Sequence, residues 1–293
     1  MNRRSFIRMT AATSLALSQS ETLMALEAEN AYRKNIGIQL YTLRKELAKD
    51  ASGTLKQVAA AGYKQVELYG FPNADAMISG AKDAGLAINS AHFEWDAVVN
   101  PKDAALSDFA KILEKAHAIG LSHLVIPFLQ EGNRKTLDDY RKVAAHANQA
   151  AAMAQEAHIQ LSYHNHNFEF EPKADGKSGY SIFIEEFSPA MKFEIDVFWV
   201  KAAGIDPLEL LQKLRGRVSQ LHLKDLKEGL KQPSYSTNLP DEAYRELGAG
   251  TIPMEPIIAA AKVAGVEHCH VEQDQSPDAL ASIRQSINYL RKL

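Results

Sequence analysis

The chain has 293 residues, 46% of them hydrophobic and 24% charged, with a formal net charge of −3. That balance excludes intrinsic disorder and collagen-like or low-complexity architecture, and no apolar run approaches the ~18–20 residues of a membrane span. The 33 basic and 36 acidic residues form no basic block, which argues against a nucleic-acid partner, while the single cysteine, Cys269, excludes a disulfide framework and cysteine-rich metal sites.

Residues 1–30 read as a leader rather than as part of the fold. Arg3-Arg4-Ser5-Phe6-Ile7-Arg8 is a twin-arginine pair followed by an aromatic, an aliphatic and a base. A mildly apolar run over 9–17 and small residues around Ala25 and Ala28 complete the pattern of a bacterial twin-arginine export signal. The expectation is a protein exported already folded to the periplasm, with a catalytic domain over 31–293. Asn2 stands where Ser or Thr is usual, so the pattern does not fix a cleavage site.

From about Tyr32 onward, short β-branched runs alternate with amphipathic helical stretches. The spacing predicts strands over 36–41, 65–69, 87–92, 122–126, 159–164, 191–196, 218–223 and 267–272. Helical patterns lie between them, at 54–61, 104–119, 137–157, 207–214 and 256–264. Gly62, Gly85, Gly120 and Gly265 stand just before the next strand as helix stops. About 263 residues beyond the leader divide into eight units of roughly 33, the size of a (β/α)8 TIM barrel. An open doubly wound sheet is the competing fold, but no G-x-G-x-x-G follows the first strand. No second domain is expected, and the one long connection is 225–250.

Strand alternation then sorts the side chains. Leu161 and Tyr163 oppose Ser162 and His164; Phe193 and Ile195 oppose Glu194 and Asp196; Leu221 and Leu223 oppose Gln220, His222 and Lys224; Cys269 and Val271 oppose His268, His270 and Glu272. The apolar set suits a helix layer, so the polar set points into the barrel. Burying that many ionisable groups unpaired costs several kcal/mol each, and a divalent cation at the mouth resolves the problem. His164, Asp196, His222 and Glu272 end strands five to eight with matching parity, two imidazoles and two carboxylates suited to Mn, Zn, Mg or Co. Glu194, Gln220 and His270 lie one layer deeper as supports. Glu67 and His92 are expected at the same mouth, either as substrate contacts or in structural hydrogen bonds. Lys224 either binds a substrate oxygen or pairs with Asp225 or Glu272. Trp95 and Trp199 wall a sugar pocket or pack loops, and Cys269 is a buried thiol on the helix side.

These segments resemble a known group. Val66-Glu67-Leu68-Tyr69-Gly70, Tyr163-His164-Asn165-His166, Asp196-Val197-Phe198-Trp199, Leu221-His222-Leu223-Lys224-Asp225, Leu247-Gly248-Ala249-Gly250 and Val271-Glu272-Gln273-Asp274 are similar to the sugar phosphate isomerase/epimerase superfamily of xylose isomerase-like barrels. The group also includes inosose dehydratases, hydroxypyruvate isomerases and endonuclease IV-type enzymes. In its ketose 3-epimerases a Glu–Asp–His–Glu set binds the metal, and the two glutamates act as acid and base. The resemblance carries the last three roles to Asp196, His222 and Glu272. His164 stands where the first glutamate would be, which puts the symmetrical two-carboxylate mechanism in question. Glu272 is then the expected base, with His166, Glu67 or Lys224 as partner.

The expected activity is metal-dependent isomerisation or epimerisation of a small-molecule sugar through an enediolate. A lyase or dehydratase on a keto-sugar or 3-keto-glycoside, and a non-catalytic sugar-binding barrel, are the alternatives. The loop after strand eight, 272–278, is acidic and lacks glycine, so an unphosphorylated substrate is favoured. Gly248 and Gly250 either form a nest for an anion or shape a tight turn. Oligomeric state is not written in the pattern.

Overall fold

The computed structural model describes residues 31–293, so the expected export signal lies outside the described residues. Eight parallel strands close a barrel: β1 (Gly37–Gln39), β2 (Gln65–Phe71), β3 (Ala87–Phe93), β4 (His123–Ile126), β5 (Gln160–His164), β6 (Met191–Asp196), β7 (Val218–Leu223) and β10 (His268–Val271). The remaining two, β8 (Asp225–Leu226) and β9 (Tyr244–Arg245), form an antiparallel pair inside the long connection after β7. Among the described residues no helix is long and apolar enough to cross a membrane.

The helices follow from local signals. In Leu137–Glu156, the Thr136 hydroxyl caps the Asp139 N–H and the Asp139 carboxylate returns to the Thr136 N–H, a reciprocal capping box. Tyr140, Val143, Ala144, Ala147, Ala151 and Ala154 then form the buried stripe expected of 3.6-residue periodicity. Gly120 and Gly265 close their helices at φ 82°, a left-handed conformation that costs other residues a Cβ clash. The helix expected from 104 starts at Ser107, because Leu106 turns to φ 53° and the Asp103 carboxylate takes the N–H groups of Ala105 and Ser107.

The two faces of the strands separate as their alternation requires. Ile38, Val66, Leu68, Leu161, Tyr163, Phe193, Ile195, Leu221, Leu223 and Val271 join one hydrophobic core with the helices. Cys269 lies in it, its thiol pushed up by burial. The inside of the barrel is mostly polar: Gln39, Glu67, Ser90, Ser162, His164, Glu194, Asp196, Gln220, His222 and His270 are all buried there, with Val125 of β4 among them. A bulge between β6 and β7, where Phe193 pairs with Val218 and Glu194 with Gln220, adds Ser219 to this layer, hydrogen-bonded to Ser162 at 2.7 Å.

Candidate active site

Two of the four candidate metal ligands, Asp196 and His164, are oriented by backbone groups. Asp196 ends β6 and caps the helix Val197–Ala202: its Oδ1 accepts the N–H groups of Phe198 and Trp199 at 2.9 and 3.1 Å. Its Oδ2 is buried and accepts no hydrogen bond. His164 ends β5, with Nδ1 donating to the Pro127 carbonyl at 3.3 Å. That leaves Nε2 as the lone-pair nitrogen, buried without a hydrogen bond and 3.5 Å from Asp196 Oδ2. The Lys224 ammonium lies 3.1 Å from Asp196 Oδ2, but His164 Nε2 has no donor, an arrangement that suits a cation between the two atoms.

His222 and Glu272 complete the group. The donor atoms of His164, Asp196, His222 and Glu272 all lie within 4.8 Å of one another, and all four residues are buried. His222 donates Nε2–H to Glu67 Oε1 at 2.6 Å and Nδ1–H to Glu272 Oε2 at 2.9 Å. Burial works against its charge, but the carboxylates of Glu194, Glu272 and Glu67 outweigh it and hold the imidazolium far above the ordinary histidine range. A cation at Nδ1 would replace that proton, with Nε2–H still anchored on Glu67.

Lys224 is buried among acids. Its Nζ lies 2.8 Å from Glu272 Oε2, 2.9 Å from Asp274 Oδ2 and 3.1 Å from Asp196 Oδ2, the last an ion-pair contact off the hydrogen-bonding direction. Burial alone would lower its pKa, but Asp196, Asp274 and Glu272 raise it well above the lysine range. Glu272 responds in kind: burial pushes it up, and Lys224 and His222 hold it far below the carboxylate range. Of the partners expected for Lys224, Glu272 is present and Asp225 is not. Asp225 turns away and accepts the N–H groups of Leu226 and Ile252 on Oδ1 and of Gly248 and Gly250 on Oδ2, at 2.9–3.0 Å. The two glycines therefore do form a nest, and its anion is this side chain.

Glu67 departs from expectation. The strand predicted to end at residue 69 runs to Phe71, with register shifts against β3 on both sides of the Glu67–Leu68 pair. Glu67 consequently sits a layer below the mouth, wholly buried, and does not line the cavity. It accepts hydrogen bonds from Gln39, Ser90 and His222, the structural alternative open for it, and stands behind His222. His92 stays at the mouth, stacked on His222 with centroids 5.2 Å apart, its Nε2 2.8 Å from Glu194. Burial lowers its pKa, and Glu67 and Glu194 more than restore it, for a net rise.

A cavity of about 460 Å³ opens above this group, lined by His92, His164, Lys224 and Glu272, by His166, and by an aromatic wall that includes Trp95, Phe128 and Trp199. His166 is neutral: burial, then His164 and Lys224, push its pKa well down. Its loop is fixed by Glu169, whose carboxylate accepts the His166 N–H at 2.9 Å and the Tyr163 hydroxyl at 2.7 Å. Strand periodicity missed Gln39, Asp274, Phe128 and Glu169. Only Gln39 had a signal available, its parity opposite Ile38 on β1. Arg44 donates to the Asp274 carbonyl at 2.8 Å and ties down the loop after β10.

A family model described as xylose isomerase-like TIM barrel matches residues 55–293. Among solved structures, a sugar phosphate isomerase/epimerase from Parabacteroides distasonis is 25% identical with a TM-score of 0.70, over 88% of this chain and 93% of that one. Two others share the fold at lower identity. The probable 3-DHS dehydratase AsbF of Bacillus anthracis is 12% identical (TM-score 0.66; 87% and 98% covered), and the IolI protein with a binding zinc atom is 14% identical (TM-score 0.63; 88% and 98% covered). No curated protein is significantly similar in sequence.

Proposed function

We propose, from the premise that this chain belongs to the xylose isomerase-like TIM-barrel family, that it is a divalent-metal-dependent isomerase or epimerase of an unphosphorylated sugar or sugar derivative. His164, Asp196, His222 and Glu272 would hold the metal. What carries the reading is the buried pair His164 Nε2 and Asp196 Oδ2, 3.5 Å apart, the first without a hydrogen bond and the second with only the Lys224 ammonium beside it at 3.1 Å. A zinc-containing protein of the same fold is consistent with it. When bound, the cation supplies Lewis-acid polarisation of a carbonyl and stabilises the enediolate's charge, worth several kcal/mol.

The chain's own groups supply the rest. Glu272, beside Lys224 and His222 at the cavity wall, is the carboxylate placed to take a proton from the carbon beside the carbonyl. His166, neutral at the cavity wall, is placed to return or relay it. Lys224 and His92 bind substrate oxygens, Trp199 walls the sugar, and Glu67 keeps His222 in its tautomer. The leader pattern at 3–8 supports placing the reaction outside the cytoplasm, away from most sugar phosphates.

One observation favours a second reading. With His164 where a glutamate would make the mechanism symmetrical, an abstracted proton has no matching carboxylate on the opposite side, and loss of a β-leaving group competes. That gives a lyase or dehydratase on a keto-sugar or 3-keto-glycoside. Metal analysis of the purified protein, with solvent-deuterium exchange into unphosphorylated and 3-keto sugars, tests both. Exchange without elimination supports the isomerase, and an elimination product supports the lyase. Absence of bound metal, together with Glu272→Gln and Asp196→Asn proteins indistinguishable from the parent, removes both.

A further inference from the structure

The cavity has two unlike sides. The ends of β5 to β10 bring His164, Lys224 and Glu272, whereas the segments after β3 and β4 bring Trp95, Pro127 and Phe128. Aromatic surface runs without a break from one side to the other: His166 lies 5.0 Å from His164, Phe128 5.1 Å from His166, and Trp95 6.2 Å from Phe128, ring centroid to centroid. A hexose fills roughly 200 Å³ at crystal-like packing density, against about 460 Å³ for the cavity. A sugar held by its oxygens at the carboxylate and imidazole side therefore leaves about half of the space, the half where Trp95, Pro127 and Phe128 stand with Glu94 as their one charged neighbour, for something else.

A second sugar ring could stack there by one face, but with Glu94 as the one charged group on that side most of its hydroxyls would lose their hydrogen bonds to water. A flat apolar ring suits it well, since edge-to-face contacts with Phe128 and Trp95 reward it. We propose that the substrate is a sugar bearing an aryl substituent, with the aryl ring against Trp95 and Phe128 and the sugar facing His164, Asp196, His222 and Glu272. This rests on the metal-dependent sugar reading above.

The chain has two tryptophans, Trp95 and Trp199, and both line this cavity, so intrinsic fluorescence reports its occupancy directly. The full-length protein, loaded with Mn²⁺, is titrated with phenyl β-glucoside, glucose and cellobiose. Phenyl glucoside is expected to bind about tenfold or more tighter than glucose. Phe128→Ala and Trp95→Leu, each shown by circular dichroism to be folded, are expected to bring that ratio to about one or two. A ratio near one in the parent protein overturns the proposal, as does an equal gain for cellobiose or a ratio unchanged in both variants. Repeating the titrations in EDTA separates the two readings. An aryl gain that survives while no sugar's binding responds to metal keeps the aryl subsite and removes the metal-dependent activity.

Discussion

Lys224→Met would test whether the lysine is the counter-charge of the ligand group. The substitution keeps the length and apolar bulk of the side chain and removes only the ammonium. Three carboxylates within 3.1 Å then lose their common partner in a place that is 1% exposed. Removing one member of a buried ionic group costs about 3–5 kcal/mol. At ~2–4 °C per kcal/mol for a domain of this size, the metal-free melting temperature should fall by about 10 °C. Excess Mn²⁺ should reverse the order of events. A divalent cation supplies the missing charge, and with Lys224 gone it no longer competes with an ammonium, so its affinity should rise about tenfold or more. Differential scanning calorimetry of both proteins in EDTA and in Mn²⁺ provides the measurement. A metal-free drop below about 2 °C, or equal stabilisation of the two proteins by Mn²⁺, would refute the reasoning.

Three further outcomes are expected. Glu67→Gln replaces the carboxylate that accepts from His222 Nε2 and should weaken metal binding about 10–100-fold, read by competition with a fluorescent chelator, without altering the ligand count. Glu169 has its pKa raised by burial to about 7, so its contribution to stability is fully present below the ordinary carboxyl range and is lost as pH rises through 7. Melting temperatures of the parent should therefore fall between pH 5 and 8 relative to Glu169→Gln, by the equivalent of about 2–3 kcal/mol. A parallel pH dependence in the two proteins contradicts that assignment. Asp225→Ala strands four backbone N–H groups at the β8–β9 pair and should cost about 2–4 kcal/mol, with hydrogen exchange accelerated at Gly248, Gly250 and Ile252.

Strand periodicity makes most of the fold and the clustering of the candidate ligands legible before any coordinates. A period of two is a local property, and at β5, β6 and β7 the expected strand ends fall at His164, Asp196 and Leu223, as observed. His222 and Glu272 then follow from parity alone. Height along the barrel axis is less accessible, because it depends on how neighbouring strands register. Glu67 has the expected parity but the wrong level, since β2 is longer than its β-branched run and slips twice against β3. Lys224 lies on the correct face, yet its three acids come from β6, β7's own neighbour β10, and the loop after it. Phe128 and Glu169 belong to segments with no period at all, and Asp274 reaches Lys224 only because the loop after β10 folds back over the mouth.

The division of each strand into an aliphatic outer face and an ionisable inner face has a consequence for how such a barrel changes over generations. Helix docking depends on residues such as Ile195, Leu221 and Val271, while the proposed chemistry depends on their immediate neighbours Asp196, His222 and Glu272. Substitutions at even and odd steps along one strand are thus subject to separate demands, one for holding the wall together and one for choosing a reaction. A histidine can stand at position 164, where relatives are expected to carry glutamate, without disturbing Tyr163 or the helices behind it. The barrel can drift from one sugar reaction to another while its outer packing stays still.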